Sequence, residues 1–407
     1  MNVALSHPSK QCYGKLSITG SKSETNRLLL LQALFSGFSI ENASMSDDSE
    51  VMQAALLSKE NRIDVHHAGT AMRFLTAYFS HLKGKEIVLT GSQRMQERPI
   101  KILVDALRTL GASISYEKEE GFPPLRICGK ELKGGIVELP ADISSQYISA
   151  LLLIGPVLEQ GIQLNLIGKI TSIPYIKMTL ALLNNFGVQT SFEGQNITVE
   201  PQLHPIRSNQ IVESDWSSAS YFFSIVALSE QSEIEIKSYK EESLQGDKVL
   251  VEIYKELGVS SKIVGQSLLL KKETIRLPDS IHWDLSKAPD IAQTIAVTCY
   301  GLGIGCHLEG LHTLKIKETD RLQALYNELT KLGASVSITD KSLRLEPGSN
   351  FVEGCSLPTY KDHRMAMAFA PLALKVPLTI EDTEVVSKSY PAFWDDLKKI
   401  NFTIQQR

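Results

Sequence analysis

Apolar runs of helical length recur along this chain, and each follows directly on a polar cluster that carries charged or hydroxyl side chains. Short segments of strand character come after them, such as 113–116 and 335–338. This alternation of helical and extended patterns predicts a repeated α/β architecture. Six polar clusters begin such runs: 21–27, 68–73, 142–147, 214–219, 287–290 and 361–364.

The polar clusters lie where helices are expected to begin. A helix start presents backbone N–H groups without partners and the positive end of the helix dipole. Several of the six starts also carry lysine, arginine or serine, as in the segment from Ser21 to Arg27. We therefore expect a protein that binds anionic ligands at helix N-termini.

A second set of helical patterns ends in glycine, a residue suited to C-terminal capping. Successive closing glycines lie 76, 71 and 75 residues apart, which indicates an internal repeat of strand, helix, strand, helix, strand and strand. About six such units would form lobes with helices inside and sheets outside; a solenoid is the alternative, but its common repeats are shorter. The four segments are 102–112, 178–188, 249–259 and 324–334.

Composition excludes several classes of function. Hydrophobic residues make up 43% and charged residues 22% of the 407 positions, and the formal net charge is −4. A cationic site must therefore be local, and the charge balance does not favour binding to nucleic acid or to a membrane surface. The length predicts two or three domains, with candidate boundaries at 17–20 and 208–214.

The cysteines and the N-terminus predict a cytoplasmic protein. None of the five cysteines forms a C-x-x-C pair, which is typical of free thiols in a reducing compartment. The N-terminus lacks the basic start and long apolar run of a signal peptide. The longest apolar run, 148–158, is interrupted by Gly155 and Pro156 and is too short to span a bilayer.

Two clusters combine opposite charges at predicted helix starts. In the first, Lys22 and Arg27 add positive charge beside capping serines. The alternative is an ordinary helix cap whose charged side chains are solvated. In the second, Lys317 and Arg321 are four residues apart and would share one helix face, with Glu318 on its flank. The preceding 314–316 alternates like a strand, so we expect a strand-to-helix junction; the alternative is a surface helix of ion pairs.

The segment 360–368 places an acid, an imidazole and a guanidinium before an apolar helix. Asp362 is expected to cap this helix and to leave His363 and Arg364 facing a ligand. A single histidine at such a position is more often structural than catalytic.

Three further candidates have ordinary alternative interpretations. Arg98 precedes Pro99 at an expected helix start and could simply be exposed. The run 144–146 offers neutral donors but could be a capping pair, and Lys388 could face solvent.

The nine histidines show no metal-ligand spacing, since His66 and His67 are adjacent and their side chains diverge, so no metal site is predicted.

Taken together, these clusters resemble the 5-enolpyruvylshikimate-3-phosphate synthase family over nearly the whole chain and in the family's order. The resemblance implies transfer of the enolpyruvyl group of phosphoenolpyruvate to the 5-hydroxyl of shikimate 3-phosphate, with loss of phosphate through a tetrahedral intermediate. It implies a cytoplasmic, glyphosate-targeted monomer of the shikimate pathway that needs no cofactor and binds only these small molecules. The matching segments are 20–27, 68–73, 97–100, 144–146, 317–321 and 362–367.

The implied fold is a two-domain inside-out α/β barrel, of class α/β, built from six βαβαββ units. Residues 19–213 would form an N-terminal lobe of three units. Residues 1–18 and 214–407 would form the C-terminal lobe, completed by the N-terminal strand. The resemblance places the active site in the cleft between the lobes.

The resemblance also assigns substrate-binding residues by motif. Those implied for shikimate 3-phosphate are Lys22, Ser23, Arg27, Ser144, Ser145, Gln146, Ser172, Tyr175, Asp290 and Lys317. Those implied for phosphoenolpyruvate are Lys22, Gly69, Arg98, Gln146, Arg321, Arg364 and Lys388. Their seven cations would balance two phosphates of about −1.5 to −2 each and two carboxylates, once Asp290 and Glu318 are included.

Proton transfer is expected to involve four of the family's motif residues. Asp290 is assigned to the 5-hydroxyl, and Glu318, with Lys22, to the carbon of phosphoenolpyruvate. His363 is placed near the phosphoenolpyruvate side.

Four positions differ from the family pattern. His66 and His67 replace the usual Gly-Asn, Phe74 replaces a proline, and Thr313 stands where asparagine is common. The first three would alter the local shape around Gly69.

Two other functions are consistent with parts of the sequence. The first is the related enolpyruvyl transferase acting on UDP-N-acetylglucosamine, but its reactive cysteine has no counterpart in 92–97. The second is a degenerate, non-catalytic anion-binding repeat protein.

Overall fold

The structure is a computed structural model, and it describes residues 1–141, 144–168, 170, 173–202, 205–206 and 209–407. It divides into two compact units. The N-terminal unit is Ser21–Val212, and the C-terminal unit combines Met1–Gly20 with Glu213–Arg407. The division expected from the sequence, 1–18 with 214–407 and 19–213, differs by one or two residues at each boundary.

The chain begins in the C-terminal unit with strands β1 (Val3–Ser6) and β2 (Gln11–Leu16) and then enters the N-terminal unit. The helices of the N-terminal unit are α1 (Lys22–Phe35), α2 (Asp47–Leu57), α3 (Gly69–His81), α4 (Gln93–Gln96), α5 (Lys101–Thr109), α6 (Ser145–Ile154) and α7 (Ile173–Asn185). Its strands are β3 (Ile40–Glu41), β4 (Arg62–Asp64), β5 (Glu86–Thr90), β6 (Ser113–Tyr116), β7 (Leu125–Cys128), β8 (Gly135–Pro140), β9 (Ile162–Ile167), β10 (Thr190–Glu193), β11 (Asn196–Val199) and β12 (Gln210–Ile211).

The remaining elements belong to the C-terminal unit. Its helices are α8 (Trp216–Leu228), α9 (Leu250–Glu256), α10 (Ala292–Leu302), α11 (Arg321–Lys331), α12 (His363–Phe369) and α13 (Phe393–Lys399). Its further strands are β13 (Gln231–Lys237), β14 (Val259–Val264), β15 (Ser267–Lys272), β16 (Ser280–Asp284), β17 (Gly305–Glu309), β18 (Val336–Ile338), β19 (Leu343–Leu345), β20 (Ser356–Leu357), β21 (Leu378–Ile380) and β22 (Thr403–Gln406). Short 3₁₀ helices span Gly155–Val157 in the N-terminal unit and Gly246–Val249, Pro289–Ile291, His312–Ile316, Ala370–Leu374 and Thr383–Lys388 in the C-terminal unit.

Five four-stranded sheets share one topology. In each, the first two strands are parallel and the other two pairings are antiparallel. β1 and β2 complete two sheets of the C-terminal unit. The strand orders are β4-β5-β7-β6, β8-β9-β11-β10, β2-β13-β15-β14, β16-β17-β19-β18 and β20-β21-β1-β22.

The sixth repeat is reduced. Over the described ranges, its sheet contains only β3 and β12, paired in parallel. Only residues 58–61 separate α2 from β4, so the chain has no length there for the last two strands of the unit.

Helices fill the interior of each unit, and sheets form its outside. Every residue of α8 is buried, as expected for a helix that is apolar on all sides. The interior helices are α1, α3 and α6 in the N-terminal unit and α8, α10 and α12 in the C-terminal unit. These six follow the six polar clusters identified in the sequence, so the predicted helix starts are confirmed.

The glycine-closed helices are also confirmed as α5, α7, α9 and α11. Their closing glycines all adopt positive φ, between 79° and 101°, as a left-handed cap requires. Within the described ranges, no helix combines the length and the apolar character that crossing a membrane requires.

Candidate active site

The N-terminal unit brings together cations at the starts of its interior helices. Ser21 caps α1 by accepting a hydrogen bond from the backbone N–H of Glu24 at 3.4 Å. Lys22, the first residue of α1, pairs with Asp48 at 3.0 Å, and the Asp48 side chain is only 5% exposed. The pair fixes the lysine beside the helix start, where both charge and dipole favour an anion.

Arg27 lies one turn further along α1 and is 3% exposed. Its guanidinium donates to the hydroxyls of Thr179 and Ser149 at 2.8 and 2.9 Å, and to the carbonyls of Ser23 and Tyr175 at 2.7 and 3.3 Å. Among the described residues, partners are found for four of its five N–H groups, and the fifth lies on Nη1. Burial lowers the pKa of Arg27 to about 10, although the charges of Tyr175 and Glu24 act in the opposite direction.

Arg98 is the available cation of this unit. Within the part of the chain that the structure describes, its guanidinium makes no hydrogen bond and no ion pair. It packs against Gly69, where an added Cβ would lie 2.6 Å from Nη1 of Arg98. A side chain at the start of α3 would therefore displace the guanidinium of Arg98 from its present position.

Arg73 supports this arrangement from within α3. Its guanidinium donates to the carbonyls of Gly69 and Pro99 at 3.3 and 3.1 Å. Burial, and then the charge of Arg98, lower the pKa of Arg73 to about 10.

The start of α6 adds neutral donors. The Ser144 hydroxyl caps the helix by accepting from the backbone N–H of Gln146 at 3.4 Å. The Gln146 amide donates to the Thr70 hydroxyl at 3.1 Å and so links α6 to α3. Ser145 is the first residue of the helix, and Ser172 lies outside the described residues.

The C-terminal unit holds a denser cluster, in which cations and carboxylates alternate. Asp290, on the 3₁₀ helix before α10, is 2.9 Å from Arg321, 3.5 Å from Lys317 and 3.4 Å from Arg364. Burial opposes its ionisation, but the charges of Lys317, Arg364 and Arg321 prevail and lower the pKa of Asp290 far below its ordinary value. The Asp290 carboxylate is therefore ionised at neutral pH.

Arg321 is the centre of this cluster, and its side chain is only 2% exposed. Besides Asp290, it binds Asp362 through Nε at 2.7 Å and Glu318 through Nη2 at 2.8 Å. Burial disfavours its charge, but the carboxylates of Asp362, Glu318 and Asp290 outweigh that effect and raise the pKa of Arg321.

Glu318 is held between two cations. It accepts from Arg321 at 2.8 Å and from Lys388 at 2.7 Å. Burial raises its pKa, but the charges of Lys388, Arg321 and His363 together lower it well below the ordinary value. Lys388 is 8% exposed, so the alternative of a solvent-facing lysine is excluded.

Asp362 caps α12, as predicted, by accepting from the backbone N–H of Arg364 at 2.8 Å. His363 is 2% exposed, with Nδ1 3.7 Å from the Asp362 carboxylate. Arg364 reaches the carbonyl of Asp290 at 3.1 Å and the hydroxyl of Ser217 at 3.3 Å.

The local structure around Lys317 differs from our expectation. Residues 314–316, expected as a strand, lie in the 3₁₀ helix His312–Ile316, and α11 begins only at Arg321 after the cap Asp320. Lys317 and Arg321 therefore do not share a helix face. They meet at Asp290 because the bend before α11 turns both side chains towards it.

The sequence model of the EPSP synthase (3-phosphoshikimate 1-carboxyvinyltransferase) family matches residues 53–397, most of this chain. The 3-phosphoshikimate 1-carboxyvinyltransferase of Bacteroides fragilis is 47% identical over 411 residues, which cover 100% of this chain and 99% of that protein. This chain belongs to the EPSP synthase family. The Haemophilus influenzae protein of the same name is 38% identical, covering 95% of this chain and 96% of its own.

The fold agrees with this family. A solved EPSP synthase from Acinetobacter baumannii superposes with a TM-score of 0.82 over 100% of both chains, at 23% identity. The α/β fold of repeated βαβαββ units, inside-out in each unit, is thereby confirmed.

Two departures from the EPSP synthase family pattern have a structural explanation. His66, in place of the family's glycine, keeps a positive φ of 47° and donates its backbone N–H to Asp64 at 2.7 Å. Its carbonyl accepts from Ser92 at 2.8 Å, so the backbone of this loop is tied at both sides. Phe74, in place of proline, is buried with its ring 5.4 Å from the guanidinium carbon of Arg27.

Sequence reasoning missed several residues that hold these side chains in place. Asp48 pairs with Lys22, and Ser149 and Thr179 accept hydrogen bonds from Arg27. None of these three residues belongs to a sequence motif whose spacing points to a binding site. Asp247 accepts a short hydrogen bond from Ser217. Burial, and then the nearby Asp290 charge, raise the pKa of Asp247 to about 6.

Proposed function

We propose that this chain transfers the enolpyruvyl group of phosphoenolpyruvate to the 5-hydroxyl of shikimate 3-phosphate and releases phosphate. Membership of the EPSP synthase family makes it a 3-phosphoshikimate 1-carboxyvinyltransferase of the shikimate pathway. One observation carries the chemical proposal: two carboxylates, Asp290 and Glu318, are held ionised on one buried guanidinium among further cations. Such a cluster can bind anions and move protons at the same place.

Both units supply groups for two multiply charged substrates. In the N-terminal unit, Lys22 and Arg98 supply charge, the remaining N–H of Arg27 one bond, and Ser144 and Gln146 neutral donors. In the C-terminal unit, we assign anion binding to Lys317, Arg321, Arg364 and Lys388. Ser23, Ser145, Ser172 and Tyr175 complete the proposed shikimate 3-phosphate contacts, and Gly69 leaves room for Arg98.

Asp290 is the proposed base for the 5-hydroxyl. Its lowered pKa keeps it deprotonated at neutral pH, and the Arg364 and Lys317 contacts hold both oxygens in place. An anionic substrate that engages these cations would raise its pKa and so strengthen it as a base. The hydroxyl proton would pass to Asp290 as the oxygen attacks the neighbouring carbon of phosphoenolpyruvate.

Glu318 is the proposed group that exchanges a proton with the methylene carbon of phosphoenolpyruvate. As an ionised carboxylate it can accept the methyl proton when the tetrahedral adduct expels phosphate. For the first step it must carry a proton. We propose that an anionic substrate engages Lys388 and Arg321, weakens their hold on Glu318 and so raises its pKa. Lys22 is the second candidate donor, and His363 lies near Glu318 on the proposed phosphoenolpyruvate side.

The test is release of phosphate from phosphoenolpyruvate with shikimate 3-phosphate, without acceptor, and with UDP-N-acetylglucosamine instead. We expect release only with shikimate 3-phosphate, and a roughly 10²- to 10⁴-fold lower kcat in Asp290→Asn. Asp340→Asn, an exposed aspartate paired with Lys315, is the matched control and should retain full turnover. Release only with the nucleotide sugar, or none in folded protein, would refute the proposal.

We also propose a cytoplasmic monomer. The cysteines are free thiols in the structure, two of them, Cys128 and Cys355, partly exposed. Light scattering after size-exclusion chromatography should give the mass of one 45.0 kDa chain.

A further inference from the structure

Two imidazoles and two carboxylates form a square on the outer face of one sheet of the C-terminal unit. Strands β16 and β17 are parallel neighbours, with His282 opposite His307 and Asp284 opposite Glu309. Since alternate residues of a strand share a face, all four project on the same side. Ile281 and Leu308, on the other side, are buried in the core.

The distances between His282, His307 and Glu309 in this square are short. His282 Nε2 lies 2.8 Å from a Glu309 oxygen, and the two imidazole rings stack with centroids 4.7 Å apart and an interplanar angle of 21°. Ligand atoms of His282, His307 and Glu309 all lie within 4.8 Å of one another. The His282 side chain is 61% exposed and that of Glu309 is 47% exposed, so both can adjust to a bound ion.

The charge around the square favours a cation. Arg344 lies opposite His307 on β19, but its guanidinium is paired with Glu346 at 2.8 Å. The carboxylates of Glu309 and Asp284 therefore contribute negative charge on the same face as the two imidazoles. A simple hydrogen bond between His282 and Glu309 explains the position of those two side chains. It does not explain why the imidazole of His307 stacks on that of His282, whereas a shared metal ion does.

We propose that His282, His307 and Glu309 bind one divalent transition-metal ion. Imidazole nitrogen combined with carboxylate oxygen suits Zn²⁺, Ni²⁺ or Cu²⁺ and disfavours Mg²⁺ and Ca²⁺. Metal–ligand bonds of about 2.0–2.2 Å require the ligand atoms to close to roughly 3–3.5 Å, which side-chain rotation on this exposed face supplies.

Binding would join β16, the edge strand of its sheet, to β17. The ion would cross-link two strands that are separated by the whole of α10, and it would stabilise the folded chain because the unfolded chain has no such arrangement. The site is independent of the transferase reaction.

The test is calorimetric titration of the untagged, metal-stripped protein with Ni²⁺. We expect one equivalent to bind, and His282→Ala and His307→Ala to weaken that binding by roughly 10- to 100-fold or more. His312→Ala, which removes another exposed histidine of the same unit, should bind Ni²⁺ like the unaltered protein. Turnover without metal should be equal in all four proteins and serves as the check of folding.

A second measurement identifies the ligands. The electron paramagnetic resonance spectrum of one equivalent of Cu²⁺ should show coupling to two imidazole nitrogens, reduced to one in each single variant. Absence of Ni²⁺ binding, or equal binding in His282→Ala, His307→Ala and His312→Ala, would overturn the proposal.

Discussion

Buried arginines in the two units differ in what surrounds them. In the N-terminal unit, Arg27 and Arg73 bond to hydroxyls, carbonyls and a thioether, and burial lowers the pKa of each to about 10. In the C-terminal unit, Arg321 and Arg364 bond to carboxylates, and their pKa values are raised despite burial.

The contrast shows how one residue type can serve two purposes. A desolvated cation without a carboxylate partner gains most from an incoming anion, so the N-terminal unit is suited to binding. Cations that already hold carboxylates keep those carboxylates ionised, so the C-terminal unit is suited to proton transfer. The predictions below test this division, beginning with the largest effect.

Arg321→Met should have the largest effect, because it leaves Asp290, Glu318 and Asp362 without their shared cation. We expect a loss of about 3–5 kcal/mol in the free energy of unfolding at pH 7.5. Asp290 and Glu318 have lowered pKa values in the folded protein, so their pairing with Arg321 stabilises above their unfolded pKa and is lost on acidification. The deficit should therefore keep its full size at neutral pH and shrink only as the pH falls below about 4, as measured by urea unfolding.

Arg344→Met is the control for that variant, since Arg344 makes an exposed pair with Glu346. It should change stability by less than about 1 kcal/mol. Equal losses in both variants would remove the distinction between the units.

Lys22→Ala tests the N-terminal unit. We expect kcat/KM to fall roughly 10- to 100-fold, because a charge-assisted contact to substrate is lost. The variant also leaves Asp48 buried without its cation, so stability should fall by about 1–3 kcal/mol.

Lys22→Ala combined with Asp48→Asn separates the two effects. The double variant should recover stability in thermal unfolding but not turnover. If turnover returned together with stability, Lys22 would be a structural residue.

Asp247→Asn tests how burial and nearby charge act on a carboxyl group of the C-terminal unit. Asp247 faces Asp290, Arg364 and Asp215, and its pKa is raised to about 6 from 3.8. Between these values the folded protein binds a proton that the unfolded chain releases, so stability falls as pH rises through this window. The asparagine variant should be about 1–3 kcal/mol more stable at pH 7.5 and gain nothing below pH 4.

Chemical unfolding at both pH values measures this difference. Asp340→Asn, at an exposed carboxylate whose pKa is lowered by Lys315, should show no such gain. A pH-independent effect of Asp247→Asn would mean that the carboxyl is not protonated in the folded protein.

Gly69→Ala should have the smallest effect. The new Cβ displaces the flexible end of Arg98, so we expect KM for phosphoenolpyruvate to rise roughly 5- to 10-fold while stability is kept. Gly91→Ala is the contrasting control, because its Cβ would lie 2.6 Å from the backbone carbonyl of His66 and should destabilise the protein.

Arg98→Ala and the double variant Gly69→Ala/Arg98→Ala, together with Gly69→Ala and the unaltered protein, form a double-mutant cycle. If glycine acts through Arg98, the two effects on KM will not add. Full additivity would show that Gly69 contacts the substrate by itself.

Local signals in the sequence predicted much of the fold. The six polar clusters preceding apolar runs mark α1, α3, α6, α8, α10 and α12, and the glycine spacing marks four capped helices. These signals are local, because capping and periodicity depend on neighbours along the chain. The strand expected at 314–316 was wrong because Leu314 is buried from within a 3₁₀ turn, which a three-residue alternation does not distinguish from a strand.

By itself, the sequence determined the repeat, the helix starts, the family and the charged side chains that the family motifs assign. Only the tertiary structure decided which charged groups meet: Lys22 with Asp48, Arg321 with three carboxylates, and His282 beside His307. These pairings join residues far apart along the chain, and their energies depend on distance and burial. Spacing in the sequence contains neither quantity, and both arise only when the strands and helices pack.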